Sequence, residues 1–165
     1  MLSMSINSRI HRPTREKYER AWNFYYMGWV NYDFIKGGEL AAFVALEFAL
    51  IDGYGFKLRT PKITRPPSLR RLLRYMVEDD RLTDDQIPLV RRCGGSVVVN
   101  FYETDADEKA RCAQNPRPER PMTLVERRNK AAHGDPFDTA PCAGLLEVVR
   151  DLIEYAYRDV IGSQR

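Results

Sequence analysis

Cysteine and histidine are scarce in this chain. The three cysteines, Cys93, Cys112 and Cys142, form no C-x-x-C pair. An odd, scattered set excludes a disulfide framework and reads as free thiols of a reducing compartment. The two histidines, His11 and His133, complete a small stock of soft ligands at no recognisable spacing. A zinc site is therefore not expected, and neither is any other cofactor. Long apolar runs are also missing. The most apolar stretch, residues 40–51, carries Glu47 and falls well short of the roughly 20 residues that span a bilayer. The opening MLSMSINSRIHRP has no apolar core of signal-peptide length. These absences predict a cytoplasmic protein, of a microbe, with no membrane partner. No internal repeat is visible. A strong charge of either sign is absent too: 26 basic and 23 acidic residues leave a net charge of +3. That excess does not argue for nucleic acid by itself, so local clusters decide.

What is present is the balance of a folded domain. In 165 residues, 44% are hydrophobic and 30% charged, enough for one core without disulfide or metal staples. Residues 1–12 read as a flexible polar tail and residues 13–165 as a single helical domain. Pro13 suits the first turn of a helix, where its missing N–H costs nothing. Tyr18, Trp22, Tyr25, Trp29 and Tyr32 then recur in steps of four and three, an apolar stripe on a helix. Such a stripe can stack bases, but a core or dimer seam is the default.

Gly37-Gly38 is expected to break the chain. ELAAFVALEFALIDGYG follows, apolar almost all round and hence a buried helix, ended by Gly53 and Gly55 in a left-handed terminus. Glu47 is its odd member. It either faces solvent on a narrow polar strip or pairs with an arginine near the functional segment. Residues 56–67, with three prolines, read as a loop. Ser68 caps a helix carrying Leu69, Leu72, Leu73 and Met76 on one face and Arg70, Arg71 and Arg74 on the other. That basic face is a phosphate-binding stripe or a plain solvated surface. Thr83-Asp84-Asp85 starts a weak helix towards Arg92, stopped by Cys93-Gly94-Gly95. Residues 97–102, VVVNFY, favour a short β segment locally unless packing overrides them into helix. Residues 103–121 read as an exposed connection.

Two helices close the chain. Thr123 and Glu126 make a T-x-x-E capping box for a helix over 123–133, stopped by Gly134 and Pro136. The last runs from about Ala140 to Val160, with Leu145, Val149, Leu152 and Ala156 as its stripe. The first of these carries the candidate chemistry, LVERRNKAAHG. Histidine exchanges protons near neutral pH, and arginine holds a phosphate by two parallel hydrogen bonds. Both types suit metal-independent RNA cleavage, with asparagine to orient either. Asn129 and His133 lie one turn apart on nearly one side, whereas Arg128 lies ~140° from His133. A distorted last turn, or a second copy of the chain, would have to bring guanidinium and imidazole together. The plain alternative is a helix end that places a cation against the helix dipole.

The block Arg128, Asn129, Lys130-Ala131-Ala132, His133-Gly134 resembles the R-x4–6-H motif of the HEPN family. The AAFVALEFAL helix is similar to the second helix of many HEPN proteins, and the motif precedes the last long helix, as it does in that family. The resemblance implies an all-α, four- to five-helix bundle with a long insertion over 79–121. It implies a homodimer whose two motifs face one cleft, and a metal-independent endoribonuclease leaving a 2′,3′-cyclic phosphate. Toxin–antitoxin systems and phage defence are its settings, so an antitoxin or other regulatory protein joins RNA as an expected partner. By that likeness Arg128 and His133 would be catalytic, with Asn129 beside them. Arg127, Lys130 and Arg74 are the candidates for holding RNA, with Glu47 and Glu126 in support. Asp135 stands where some HEPN toxins carry a tyrosine two residues after the histidine, which argues against that subtype. A HEPN-like module that binds RNA or protein without cutting is the alternative. A DNA-binding domain using Arg70, Arg71 and Arg74 ranks last, since no recognition-helix pattern is visible.

Overall fold

The computed structural model describes residues 5–59, 65–113, 120–133 and 142–163. Every regular element among them is helical, so the all-α expectation holds. The α-helices are α1 (Arg12–Met27), α2 (Asp33–Tyr54), α3 (Leu69–Arg74), α4 (Pro88–Cys93), α5 (Asp105–Ala113), α6 (Leu124–His133), α7 (Leu145–Ala156) and α8 (Arg158–Gly162). A π-helical turn, Tyr75–Asp79, prolongs α3.

The apolar sequence of α2 makes it the axis of the fold. Helices α1, α3, α6 and α7 all pack on it. Ala42, Ala45, Leu46, Ala49 and Leu50 are buried, and so is Phe43. The alanines let neighbouring backbones approach, and the larger side chains fill what remains. The Gly37-Gly38 pair does not break the chain. Both residues lie inside α2, because tertiary contact overrides local preference there. A Cβ on Gly38 would sit 2.5 Å from the Tyr25 ring, so the glycine is a groove for α1. The turn comes earlier, at residues 28–32. It leaves Trp29 93% exposed, with Val30 and Tyr32 also exposed. The aromatic stripe is therefore split: Tyr18 is core, Trp22 and Tyr25 pack against it, and Trp29 and Tyr32 stand in the turn. At the other end of α2, Gly55 has φ −57°, so the cap is right-handed and not left-handed.

The N-terminal segment is packed from Ile6 onward. Ile6 and Ile10 are buried, and the Asn7 N–H donates to Glu154 at 3.0 Å. Ser68 caps α3 through a 3.4 Å bond from the Arg71 N–H. Residues 97–102 form no strand. Val98–Asn100 is a 3-10 turn, because Asp84 accepts from the Val97 and Val98 N–H groups at 2.9 and 3.0 Å and Phe101 is drawn into the core. The span 103–121, expected as a connection, holds α5. Ile87, Val90, Phe101 and Tyr102 belong to the main core, so much of 79–121 is integral to the fold.

Two carboxylates, the buried Asp151 and the half-buried Asp80, join distant segments. Asp151 on α7 accepts the Leu89 N–H at 2.8 Å, capping α4, and takes the Arg150 guanidinium at 2.8 Å. Asp80 receives Arg158 through both Nη atoms, at 2.6 and 2.8 Å, and the Tyr54 hydroxyl at 2.6 Å. Burial pushes the Asp80 carboxyl up, but these donors outweigh it and hold the group below the usual carboxylate range. The closing helix expected over 140–160 is two helices, parted at Tyr157. None of the described helices is long and apolar enough to cross a membrane.

Candidate functional site

Helix α6 starts as its sequence dictates. The Glu126 carboxylate accepts the Thr123 N–H at 2.8 Å and the Thr123 hydroxyl at 3.0 Å, and the Glu126 N–H donates to the same hydroxyl oxygen at 3.2 Å. Arg120 completes the start with two bonds to Glu126, at 2.7 and 3.1 Å, and reaches Glu103 at 3.3 Å. Burial raises the Glu126 carboxyl, but these donors outweigh it and hold it low. Glu126 thus secures the helix start, and its oxygens are committed there. Arg120 escaped the sequence reading, because nothing in its proline-rich surroundings announced a partner.

Four residues into α6, Arg128 turns toward α2. Its Nη2 donates to Glu47 Oε2 at 2.9 Å, and its Nη1 meets the Asn129 amide oxygen at 3.4 Å. Of the two readings of Glu47, the structure has the arginine pair. Residues 81 positions apart in the chain are brought together by the packing of α6 on α2. Both side chains keep some contact with solvent, Arg128 at 30% and Glu47 at 22% exposure.

The other motif residues go elsewhere. Asn129, Lys130 and His133 are exposed, and Arg127 is half-buried. Helix α6 is regular through His133, so the ~140° between Arg128 and His133 is not closed by a distorted last turn. Arg128 faces α2, while His133 is exposed in the last turn of α6, as is Lys130. Gly134, Asp135, Pro136 and Ala140 lie outside the described residues.

Arg74 does not join this group. It is paired with Glu78 at 2.8 Å and with Asp105 at 3.4 Å. Arg70 meets Asp105 at 2.9 Å and Glu108 at 3.3 Å. The acidic first turn of α5 lies against the basic face of α3, so these two arginines are already matched by carboxylates. That weakens the phosphate-stripe and DNA readings alike.

Beside the Glu47–Arg128 pair, α2 leaves one face uncovered. Leu40, Val44, Phe48 and Ile51 follow the i, i+4, i+8, i+11 spacing of a single stripe and are 36–44% exposed. Lys17 of α1 places its ammonium 5.0 Å from the Phe48 ring centre, a cation–π contact. Leu40 and Val44 also line a groove of about 320 Å³ with Lys17, Arg20 and Phe24. Among the described residues, no group of three or more His, Cys, Asp or Glu side chains is placed to share a metal ion.

Set against known proteins, the chain matches no family model, no curated protein and no solved structure.

Proposed function

We propose that this chain is a metal-independent endoribonuclease of HEPN type that works as a homodimer. The observation that carries the reading is the placement of Arg128. Glu47 holds one side of its guanidinium from α2 and leaves the group part-exposed beside an apolar stripe that a second copy could cover. A second chain seated on Leu40, Val44, Phe48 and Ile51 brings another α6 alongside the first. The ~140° that separates Arg128 from His133 in one chain is then bridged by pairing Arg128 of one subunit with His133 of the other.

In that composite site the imidazole of His133 takes the proton of an RNA 2′-hydroxyl. The oxygen attacks the adjacent phosphorus, the bond to the 5′-oxygen breaks, and that oxygen gains a proton from an imidazole. The product ends are a 2′,3′-cyclic phosphate and a 5′-hydroxyl. Arg128 binds the non-bridging oxygens as negative charge builds, Asn129 orients either partner, and Lys130 contributes positive charge on α6. Defence against phage, or a toxin held by an antitoxin, is the setting for such an activity.

The test is incubation of the full chain with mixed cellular RNA in excess chelator, scoring 2′,3′-cyclic ends. Cleavage is expected, with loss in His133→Ala and in Arg128→Lys. The lysine keeps the charge beside Glu47 but loses the planar fork. Cleavage that persists in both variants, or that requires added metal, overturns the reading.

One observation favours a second reading, a HEPN-like module that binds without cutting. Arg128 is already matched by Glu47, and His133 lies on another side of α6. That reading predicts RNA or protein binding with no cyclic ends in the same experiment.

A further inference from the structure

Arg127 follows a different path from its neighbour. On a helix its side chain leaves ~100° from that of Arg128, away from Glu47 and toward α7. There a cavity of about 170 Å³ opens between α6, α7 and the Val97–Phe101 turn. Phe101, Leu124 and Val148 contribute apolar wall, and three polar residues line the space with them: Arg127, Asn100 and Cys142. Burial raises the Cys142 thiol; the Arg127 charge partly offsets this, and the Glu39 carboxylate, which accepts the Cys142 N–H at 2.7 Å, adds to it.

The state of that guanidinium is unlike that of the other arginines around α6. Arg120 and Arg128 each hold a carboxylate. Among the described residues, the Arg127 guanidinium has neither a hydrogen-bond nor an ion-pair partner. A half-buried cation over an apolar cavity loses hydration and gains nothing in return unless an anion meets it. The cavity is close in size to the roughly 150 Å³ apolar cavity that holds a benzene ring. The Asn100 amide adds a neutral donor next to the charge.

We propose that this cavity binds a small monoanion or dianion, a carboxylate or a phosphate carried on a single apolar ring. The ring packs against the apolar wall, including Phe101. The anionic group takes the paired N–H groups of Arg127, with Asn100 as an additional donor. Occupation ties α6 to α7 and to the Val97–Phe101 turn. The site stands apart from the Glu47–Arg128 pair and does not rest on the ribonuclease reading.

The experiment is a two-dimensional amide NMR titration of the full chain with benzoate, phenyl phosphate and, as the neutral control, benzyl alcohol. Saturable shifts at about millimolar concentration are expected for at least one anion, confined to amides around Asn100, Arg127, Cys142 and Val148. Preference for benzoate assigns a carboxylate ligand, and preference for phenyl phosphate a phosphate ligand. Arg127→Met weakens binding by about tenfold or more, while Arg127→Lys, which keeps the charge but loses the paired donors, weakens it less. Val148→Phe keeps the charge, fills the cavity and abolishes binding, which separates loss of the site from loss of the fold. The proposal is overturned if no probe saturates, if benzyl alcohol binds as well as the anions, or if the shifts centre elsewhere. Unchanged binding in a folded Arg127→Met protein overturns it too. Cleavage of RNA is not read in this experiment, so its failure leaves the ribonuclease reading untouched.

Discussion

Removing the Glu47 carboxylate should loosen the motif helix by a measurable amount. Glu47 and Arg128 meet at 2.9 Å and are 22% and 30% exposed, between a surface pair and a buried one. Exposed pairs contribute about 0.2–1 kcal/mol, and removing one member of a fully buried pair costs about 3–5 kcal/mol. The Arg128 side chain stays 30% exposed and makes only a long 3.4 Å contact with Asn129. The cost of Glu47→Ala therefore belongs near the lower end, about 1–2 kcal/mol. For a chain of 165 residues that is a fall in melting temperature of roughly 3–6 °C. The sharper measure is a double-mutant cycle of Glu47→Ala with Arg128→Ala, followed by urea denaturation and circular dichroism. Helices α2 and α6 meet here across 81 residues of chain, so the coupling energy reports docking and not local helix propensity. We expect about 1 kcal/mol of coupling. A value within about 0.3 kcal/mol of zero would mean that the pair contributes nothing and that other contacts seat α6 on α2.

Four further outcomes follow from the same structure. Asp80→Asn should cost about 1–3 kcal/mol, since it weakens both Arg158 bonds and the one from Tyr54. Because the folded carboxyl titrates below its unfolded value, its contribution is complete above about pH 4 and is lost as pH falls through the folded value. The stability gap between wild type and Asp80→Asn should thus be wide at pH 7 and close as the solution is acidified further, which acid titration of the unfolding midpoint checks. Thr123→Ala removes the capping hydroxyl at the start of α6 and should cost about 1 kcal/mol by urea denaturation. Phe48→Glu puts a charge in the middle of the exposed α2 stripe. Under the homodimer reading, sedimentation velocity should find dimeric wild type and a monomeric but folded variant.

The sequence showed α6 most clearly. Its capping box and its reach to His133 follow from residue types and spacing, and the link of Glu47 to an arginine is one of the two readings that its place in an apolar helix allows. Those signals are local, or arise from a charge that cannot be buried alone. The α3 helix and its Ser68 cap were legible for the same reason. What stayed hidden depends on partners remote in sequence. Gly37-Gly38 looks like a break until the Tyr25 ring is seen to need the space. Residues 97–102 look like a strand until Asp84 takes two of their N–H groups. Arg70 and Arg74 look like a phosphate stripe until the acidic turn of α5 is laid on them. The direction of Arg127 into a cavity with Asn100 and Cys142 has no sequence signature, because those three residues share no segment.

The composite site is tested most directly by mixing two inactive chains. If Arg128 of one subunit serves with His133 of the other, a heterodimer of Arg128→Lys and His133→Ala chains contains one intact site. Equal amounts, unfolded and refolded together, then recover about a quarter of wild-type cleavage, since half the dimers are mixed and each holds one working site of two. Cyclic-phosphate ends appearing at that level are the predicted result. No recovery, in a mixture shown to contain heterodimers, would contradict a site shared between subunits.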